Sequence, residues 1–151
     1  LVDLLKTGGL MKIGLYSALA RRSVVKTRED IALGGVGSSE TEIRQFRQSL
    51  VDSDDKHHQQ IASVGDFFSL SEVRDLLFHV QEHRFTLPQI QYCIGHLGLK
   101  FCGFENTDIV KKFKHSFGEE SDTCDLLLWQ QFEEEQPNTF LRMYQFWCQK
   151  I

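Results

Sequence analysis

The sequence HVQEH at residues 79–83 is a compact group of side chains that could do chemistry. It places His79 and His83 one helical turn apart, with Glu82 beside them. H-x-x-E-H is the pattern of inverted zinc proteases, in which the two histidines bind the metal and the glutamate acts as a base. A working site also needs a further carboxylate ligand and a wide cleft, and this segment lies close to Pro88, where one helix gives way to another. Because short motifs recur by chance outside their structural context, we expect no metal ion here.

Arg74 and Asp75 lie shortly before this segment, and two roles for the whole group remain open. A histidine beside a carboxylate can take up a proton near neutral pH, so the group could supply a general base. Alternatively, these residues only cap helices and form ion pairs with one another. The pattern does not decide between the two.

Tyr16 and Ser17 end the first predicted strand, and Arg21 and Arg22 follow closely. The carboxyl ends of strands are where α/β sheets bind their ligands, and an arginine there could hold an anionic group. The other interpretation is a capping serine followed by a solvated basic helix start. The candidate is therefore a site by position, and its residues do not identify a reaction.

Several other reactive residues lack the neighbours that chemistry would need. Ser17 and Cys102 lack the flanking residues of a nucleophile elbow, so hydrolase chemistry is not indicated. His57 and His58 lie in a polar run and are expected to be exposed to solvent. The cysteines form no CxxC pair, so neither a zinc site nor a thioredoxin-like site is indicated, and we expect reduced, buried thiols at Cys93, Cys102, Cys124 and Cys148.

Composition excludes further classes of function. The 151-residue chain has a net charge of −4, which gives no general basic field for nucleic acid. No apolar run approaches the roughly 20 residues that span a bilayer, and no secretory segment is visible, so we expect no membrane partner and a cytoplasmic location. A chain of this length is expected to form a single domain over residues 1–151.

The pattern of apolar residues and turn signals predicts an α/β fold. Gly8 and Gly9 form a turn that leads into an apolar run at residues 10–17, which predicts a strand buried on both faces. Two further strands are predicted at residues 99–104 and 141–150, giving a three-stranded, mostly antiparallel or mixed sheet. About six helices are predicted, several of them in a helical insertion at about residues 18–97, and the acidic residues 133–135 are interpreted as a solvated helix face. The predicted helices cover residues 18–33, 39–51, 70–80, 86–97, 108–117 and 122–135.

Segments through most of the chain resemble the C-terminal part of class I S-adenosylmethionine (SAM)-dependent methyltransferases, of the bacterial type found joined to tetratricopeptide repeats. The resemblance rests on LKTGGLM at residues 5–11, DLLFH at 75–79, EHRFT at 82–86, LGLKFCGF at 97–104 and MYQFW at 143–147. It implies that these residues form the last three strands of a seven-stranded, Rossmann-like sheet together with the helices on the acceptor side.

The resemblance also implies what the chain lacks. The family's glycine-rich SAM-binding turn has no counterpart, because Gly34, Gly35 and Gly37 follow a predicted helix and not a strand. No residue is therefore expected to bind the cofactor, and the chain is expected to be an acceptor-side fragment that is inactive alone, whereas the intact parent protein uses SAM. The catalytic residues would be His79, Glu82 and His83, and the substrate-binding residues would be Tyr16, Ser17, Arg21, Arg74 and Asp75.

A strand severed from its neighbour would leave an open edge that must be covered. We therefore expect a homodimer, pairing with the missing N-terminal half, or a rearranged N-terminus. The alternative function is a helix-rich interaction domain that works by dimerising and has no catalytic activity.

Overall fold

The computed structural model describes residues 1–78 and 81–151. Within them the chain is α/β, with seven α-helices and one four-stranded sheet, so the predicted fold class is confirmed. The structure has one strand more than the sequence predicts. The additional strand has only two residues, too few to form a recognisable pattern in the sequence. The chain divides into two compact units, which comprise Leu1–Ala20 with His83–Ile151, and Arg21–Glu82.

The first unit contains the whole sheet. Its strands, in chain order, are β1 (Leu10–Ser17), β2 (Arg84–Phe85), β3 (Leu99–Phe104) and β4 (Tyr144–Lys150). They lie in the order β2-β1-β4-β3; β1 and β2 run parallel, and β4 is antiparallel to both β1 and β3. The sheet is therefore mixed, and its last strand is inserted between two earlier ones.

The N-terminal glycine turn closes the ladder between β1 and β4. Gly8 has φ +79°, a conformation that glycine adopts without steric cost. Its amide donates to the carbonyl oxygen of Lys150 at 2.8 Å, and the Lys150 amide donates to the carbonyl oxygen of Gly9 at 2.9 Å. The predicted turn into the first strand is thus confirmed.

One face of the sheet packs on three helices of the same unit, α5 (Leu87–His96), α6 (Thr107–Phe117) and α7 (Leu126–Glu135). Alternate residues of the strands point into this core, as the period of a strand requires. Trp129 of α7 is fully buried there and stacks on Phe113 of α6, with ring centroids 4.0 Å apart. The inward-facing strand residues include Phe101, Phe104, Tyr144, Phe146 and Cys148.

The opposite face of the sheet is solvent-exposed, so the prediction that β1 is buried on both faces is wrong. Leu10 is 56% exposed and Trp147 of β4 is 39% exposed. Lys12 of β1 also lies on this face and forms an ion pair with Glu105 at 2.6 Å. The apolar run was misleading because Gly14 adds no side chain and Leu10 points outward.

The second edge of β1 is paired only at its carboxyl end within the described residues. Tyr16 pairs with Arg84 of β2, and Ser17 pairs with Phe85. Residues 10–15 of β1 have ladder partners in β4 alone. The predicted open edge is therefore partly covered by a strand of the same chain.

The second unit is helical and consists of α1 (Arg22–Leu33), α2 (Glu40–Val51), α3 (Lys56–Ser63), a short 3₁₀ helix (Gly65–Phe68) and α4 (Leu70–Phe78). Helix α2 begins as its sequence predicts, with a reciprocal capping box between Ser39 and Glu42. Its core is closed by side chains with no exposed surface, Ile43, Leu50 and Val73. Across both units, no helix in the described part of the chain is long and apolar enough to cross a membrane.

The four cysteines are free thiols, as expected, but their burial differs from the prediction. Only Cys148 is buried, because it points from β4 into the helix-covered face. Cys93, Cys102 and Cys124 are exposed.

Candidate functional site

The carboxyl ends of β1 and β3 meet at one edge of the sheet. Both strands are antiparallel to β4, so they run in the same direction and end near Ser17 and Phe104 respectively. This is the edge where α/β sheets bind ligands. The structure therefore places Tyr16 and Ser17 at the edge that the sequence predicts for them.

A buried polar cluster fixes the end of β1. Ser17, which has no exposed surface, donates a hydrogen bond to Oε1 of Glu133 at 2.5 Å. Tyr144 at the start of β4 donates to Oε2 of the same carboxylate at 2.6 Å. The Ala20 amide donates to Ser17 Oγ at 3.0 Å, so the serine hydroxyl has partners on both sides.

The electrostatics of this cluster keep the phenol protonated. Burial, and then the hydrogen bond to Glu133, raise the pKa of Tyr144 well above its ordinary value. Tyr144 therefore remains a donor over the whole physiological range. The two hydroxyl groups donate to one carboxylate and so hold the end of β1 in position.

Glu133 was missed by the sequence interpretation, which placed residues 133–135 on a solvated face. Glu133 is 3% exposed, whereas Glu134 and Glu135 are exposed. The available signal was helical spacing, since Trp129 and Phe132 lie four residues and one residue before Glu133 and face the core. A carboxylate on an apolar stripe indicates a buried hydrogen-bonded group.

Tyr16 and His83 belong to the same unit as this cluster. Tyr16 is half-buried, and its backbone lies in register with Arg84 of β2. His83 is exposed, and it has no hydrogen bond or ion pair with any residue that the structure describes. Both are thus present in the sheet unit, with His83 immediately before β2.

Glu82 and Arg21 come together in the helical unit. Glu82 Oε2 lies 3.8 Å from Arg21 Nε and 3.3 Å from Arg28 Nη2, and its side chain is only 6% exposed. Arg28 also donates to the carbonyl oxygen of Leu76, at 2.6 Å through Nη2 and at 3.1 Å through Nε. Glu82 is therefore held between two guanidinium groups in a structure that ties α1 to the end of α4.

The remaining predicted residues do not join this group. Arg74 and Asp75 are exposed on α4, and the polar contact of Arg74 is to the carbonyl oxygen of Ser38 at 3.5 Å. His79 lies outside the described residues. Of the predicted cluster at positions 74–83, Glu82 is thus paired with two arginines, whereas Arg74, Asp75 and His83 are exposed.

Two histidines that the sequence interpretation left in solvent are hydrogen-bonded and half-buried. His58 contacts Asp30 at 3.0 Å through Nε2 and Ser53 at 2.9 Å through Nδ1. His57 contacts Ser23 Oγ at 2.9 Å through Nδ1. No three His, Cys, Asp or Glu residues in the described ranges are arranged to hold a metal ion.

No protein-family model matches this chain. No curated protein matches it either.

Proposed function

We propose that this chain forms the acceptor-binding side of a class I SAM-dependent methyltransferase. The observation that carries the proposal is the strand order β1-β4-β3, in which the last strand lies antiparallel between two parallel ones. The resemblance assigns these three segments to the last three strands of the family's sheet, and here the three are neighbours in one sheet. A fold alone does not specify a reaction, so the proposal rests on the sequence pattern as well as on the fold.

In this proposal the missing N-terminal half of the parent protein binds the cofactor, and this chain does not. The glycines at 34, 35 and 37 lie between α1 and α2, so they do not form the strand-to-helix turn that brings backbone amides to a ligand. Gly35, with φ +61°, serves the end of α1 instead. In this proposal the chain alone does not bind SAM, and the intact protein that uses SAM works in the cytoplasm.

The acceptor would meet the sheet at its carboxyl edge. In this proposal Tyr16 contributes to that surface, and the buried Ser17 fixes the end of β1 through its hydrogen bond to Glu133. The candidates for proton transfer remain His79, Glu82 and His83. Of the two candidates that the structure describes, His83 is the exposed one, whereas Glu82 is held by arginines. Arg21, Arg74 and Asp75 remain candidates for substrate binding.

Calorimetric titration with SAM tests the proposal. We expect no binding to this chain and binding to the full product of its reading frame, which would then contain a glycine-rich strand-turn-helix. A full product that shows no heat of SAM binding contradicts the proposal. Tight binding to the 151-residue chain alone would contradict the acceptor-side assignment.

The second candidate is a non-catalytic domain that works by dimerising. Leu10 and Trp147 are exposed on the open face of the sheet, and residues 10–15 of β1 present a second edge with no ladder partner among the described residues. An exposed strand edge with large apolar side chains beside it favours pairing with another strand. Sedimentation velocity over a hundredfold range of concentration distinguishes a dimer from a monomer, and a monomer throughout removes this candidate.

A further inference from the structure

A trough lies at the carboxyl edge of the sheet in the first unit, and the proposed function does not use it. Its main pocket, of about 240 Å³, lies between the start of α6 and the segment that leads into β4. A second pocket, of about 340 Å³, adjoins it, since Ile109 and Thr139 line both. The trough includes none of the residues that the sequence predicted for a site.

The floor of the main pocket is apolar and formed by buried rings. Phe104 and Phe140 are 8% and 3% exposed, and their ring centroids lie 4.8 Å apart. Ile109 and Met143 add half-buried apolar surface above them. Met143 lies against β1 because residue 14 is glycine; a Cβ there would stand 2.9 Å from its sulfur atom.

The polar lining carries positive charge. Arg142 lines the main pocket and Lys112 lines the adjoining one. Neither side chain forms an ion pair or a hydrogen bond with any residue that the structure describes, and no carboxylate lines either pocket in that part of the chain. Two exposed cations beside an apolar floor favour an anionic ligand at this place, although the net charge of the whole chain is −4.

Amide groups complete the lining. Asn106 accepts hydrogen bonds from the amides of Asp108 and Ile109 through Oδ1, which leaves its NH₂ group as a donor. Gln145 also lines the pocket. Amide and guanidinium donors suit a carboxylate, and the phenylalanine floor suits an apolar body.

We propose that this trough binds small carboxylic acids with an apolar body, with the carboxylate at Arg142 and the body on Phe104 and Phe140. The identity of the natural ligand rests on the proposed function, in which the trough holds the carboxylate of the methyl acceptor. Its position at the same edge as Ser17 places that acceptor where the sheet receives ligands.

A matched pair of probes tests the site on the chain as it is. 4-Phenylbutyrate and the neutral 4-phenylbutanamide share an apolar body and differ in charge. In a ¹H–¹⁵N NMR titration, we expect the acid to shift the amides of Asn106, Ile109 and residues 139–143, and to bind at least about tenfold more tightly than the amide, since a hydrogen bond to a charged group is worth that factor.

Two variants and a control locate the charge. Arg142→Gln is expected to weaken binding of the acid about fivefold, and Lys112→Gln by a smaller factor. Lys111→Gln is the control, because Lys111 lies next to Lys112 on α6, pairs with Asp108 and does not line the trough. All three side chains are exposed, so the fold should tolerate each change.

Equal affinity for acid and amide, shifts confined to other parts of the chain, or a loss below about threefold in Arg142→Gln overturns the inference. These measurements need no SAM. A trough that binds the acid therefore stands even where the longer protein fails to bind SAM, and a trough that does not bind it fails without affecting the methyltransferase proposal.

Discussion

The phenol oxygen of Tyr144 lies 2.6 Å from Oε2 of Glu133, with both side chains buried at the carboxyl end of the first strand. Ser17 occupies the other oxygen of the same carboxylate. Burying a carboxylate costs free energy unless its lone pairs accept hydrogen bonds, so the two hydroxyl groups and Glu133 act together as one polar cluster. This cluster joins α7 to both β1 and β4.

Removal of one donor from this polar cluster should destabilise the protein. Tyr144→Phe leaves Glu133 Oε2 without that hydrogen bond, and we expect the free energy of unfolding to fall by about 1–3 kcal/mol. Urea unfolding followed by circular dichroism measures the change. Tyr92→Phe is the matched control, because Tyr92 is 73% exposed, and it should unfold like the unmodified chain. Equal midpoints for all three proteins would show that the cluster contributes nothing.

The same tyrosine predicts a loss of stability in alkaline solution. The folded-state pKa of Tyr144 is raised by burial above its ordinary value of 10.0, so above pH 10 the unfolded chain binds fewer protons than the folded one. The contribution is fully present below pH 10 and falls as the pH rises, by at most about 1.4 kcal/mol per pH unit. Stabilities measured at pH 9, 10 and 11 should show the gap between the unmodified chain and Tyr144→Phe narrowing. Parallel curves for the two proteins would contradict the assignment.

Glu82 should behave as a structural carboxylate whether or not it also takes part in catalysis. Glu82→Gln leaves Arg21 and Arg28 facing a neutral amide in a region where the carboxylate is 6% exposed, so we expect a loss on the order of 3 kcal/mol in the free energy of unfolding. Glu40→Gln is the control. Its partner Arg44 is 64% exposed, and such surface pairs contribute less than about 1 kcal/mol. Thermal and urea unfolding of both variants provide the measurement, and a Glu82 change as small as that of Glu40 would refute the structural role.

The four thiols should separate into three classes of reactivity. Burial raises the pKa of the Cys148 thiol to about 11, and this cysteine has no exposed surface, so it should react with Ellman's reagent only when the protein unfolds. Burial, and then Asp122, raise the pKa of Cys124, which should react more slowly than the exposed Cys93 and Cys102. Time courses in buffer and in guanidinium chloride count the thiols in each class. Four fast thiols in buffer would contradict the burial of Cys148.

Local structure followed from the sequence wherever the interactions span only a few residues. The helix starts at Ser39 and Thr86 and the end of α5 before Gly98 are such cases. The bounds of β3 at residues 99–104 were also predicted, because a short run with partial alternation between two helices leaves little choice of register. These features depend on backbone geometry and on neighbours within one turn.

The sequence alone determined that this protein is α/β, with a glycine turn feeding its first strand and an ordered series of capped helices. The tertiary structure decided which polar groups meet: Ser17 with Glu133, across 116 positions of the chain, Glu82 with two arginines, and Arg142 beside an aromatic floor. It also decided that one sheet face is open, which the apolar run in β1 did not show. The physical reason is range, since caps and turns act within a few residues, whereas burial and charge pairing depend on segments distant in sequence that only packing brings together.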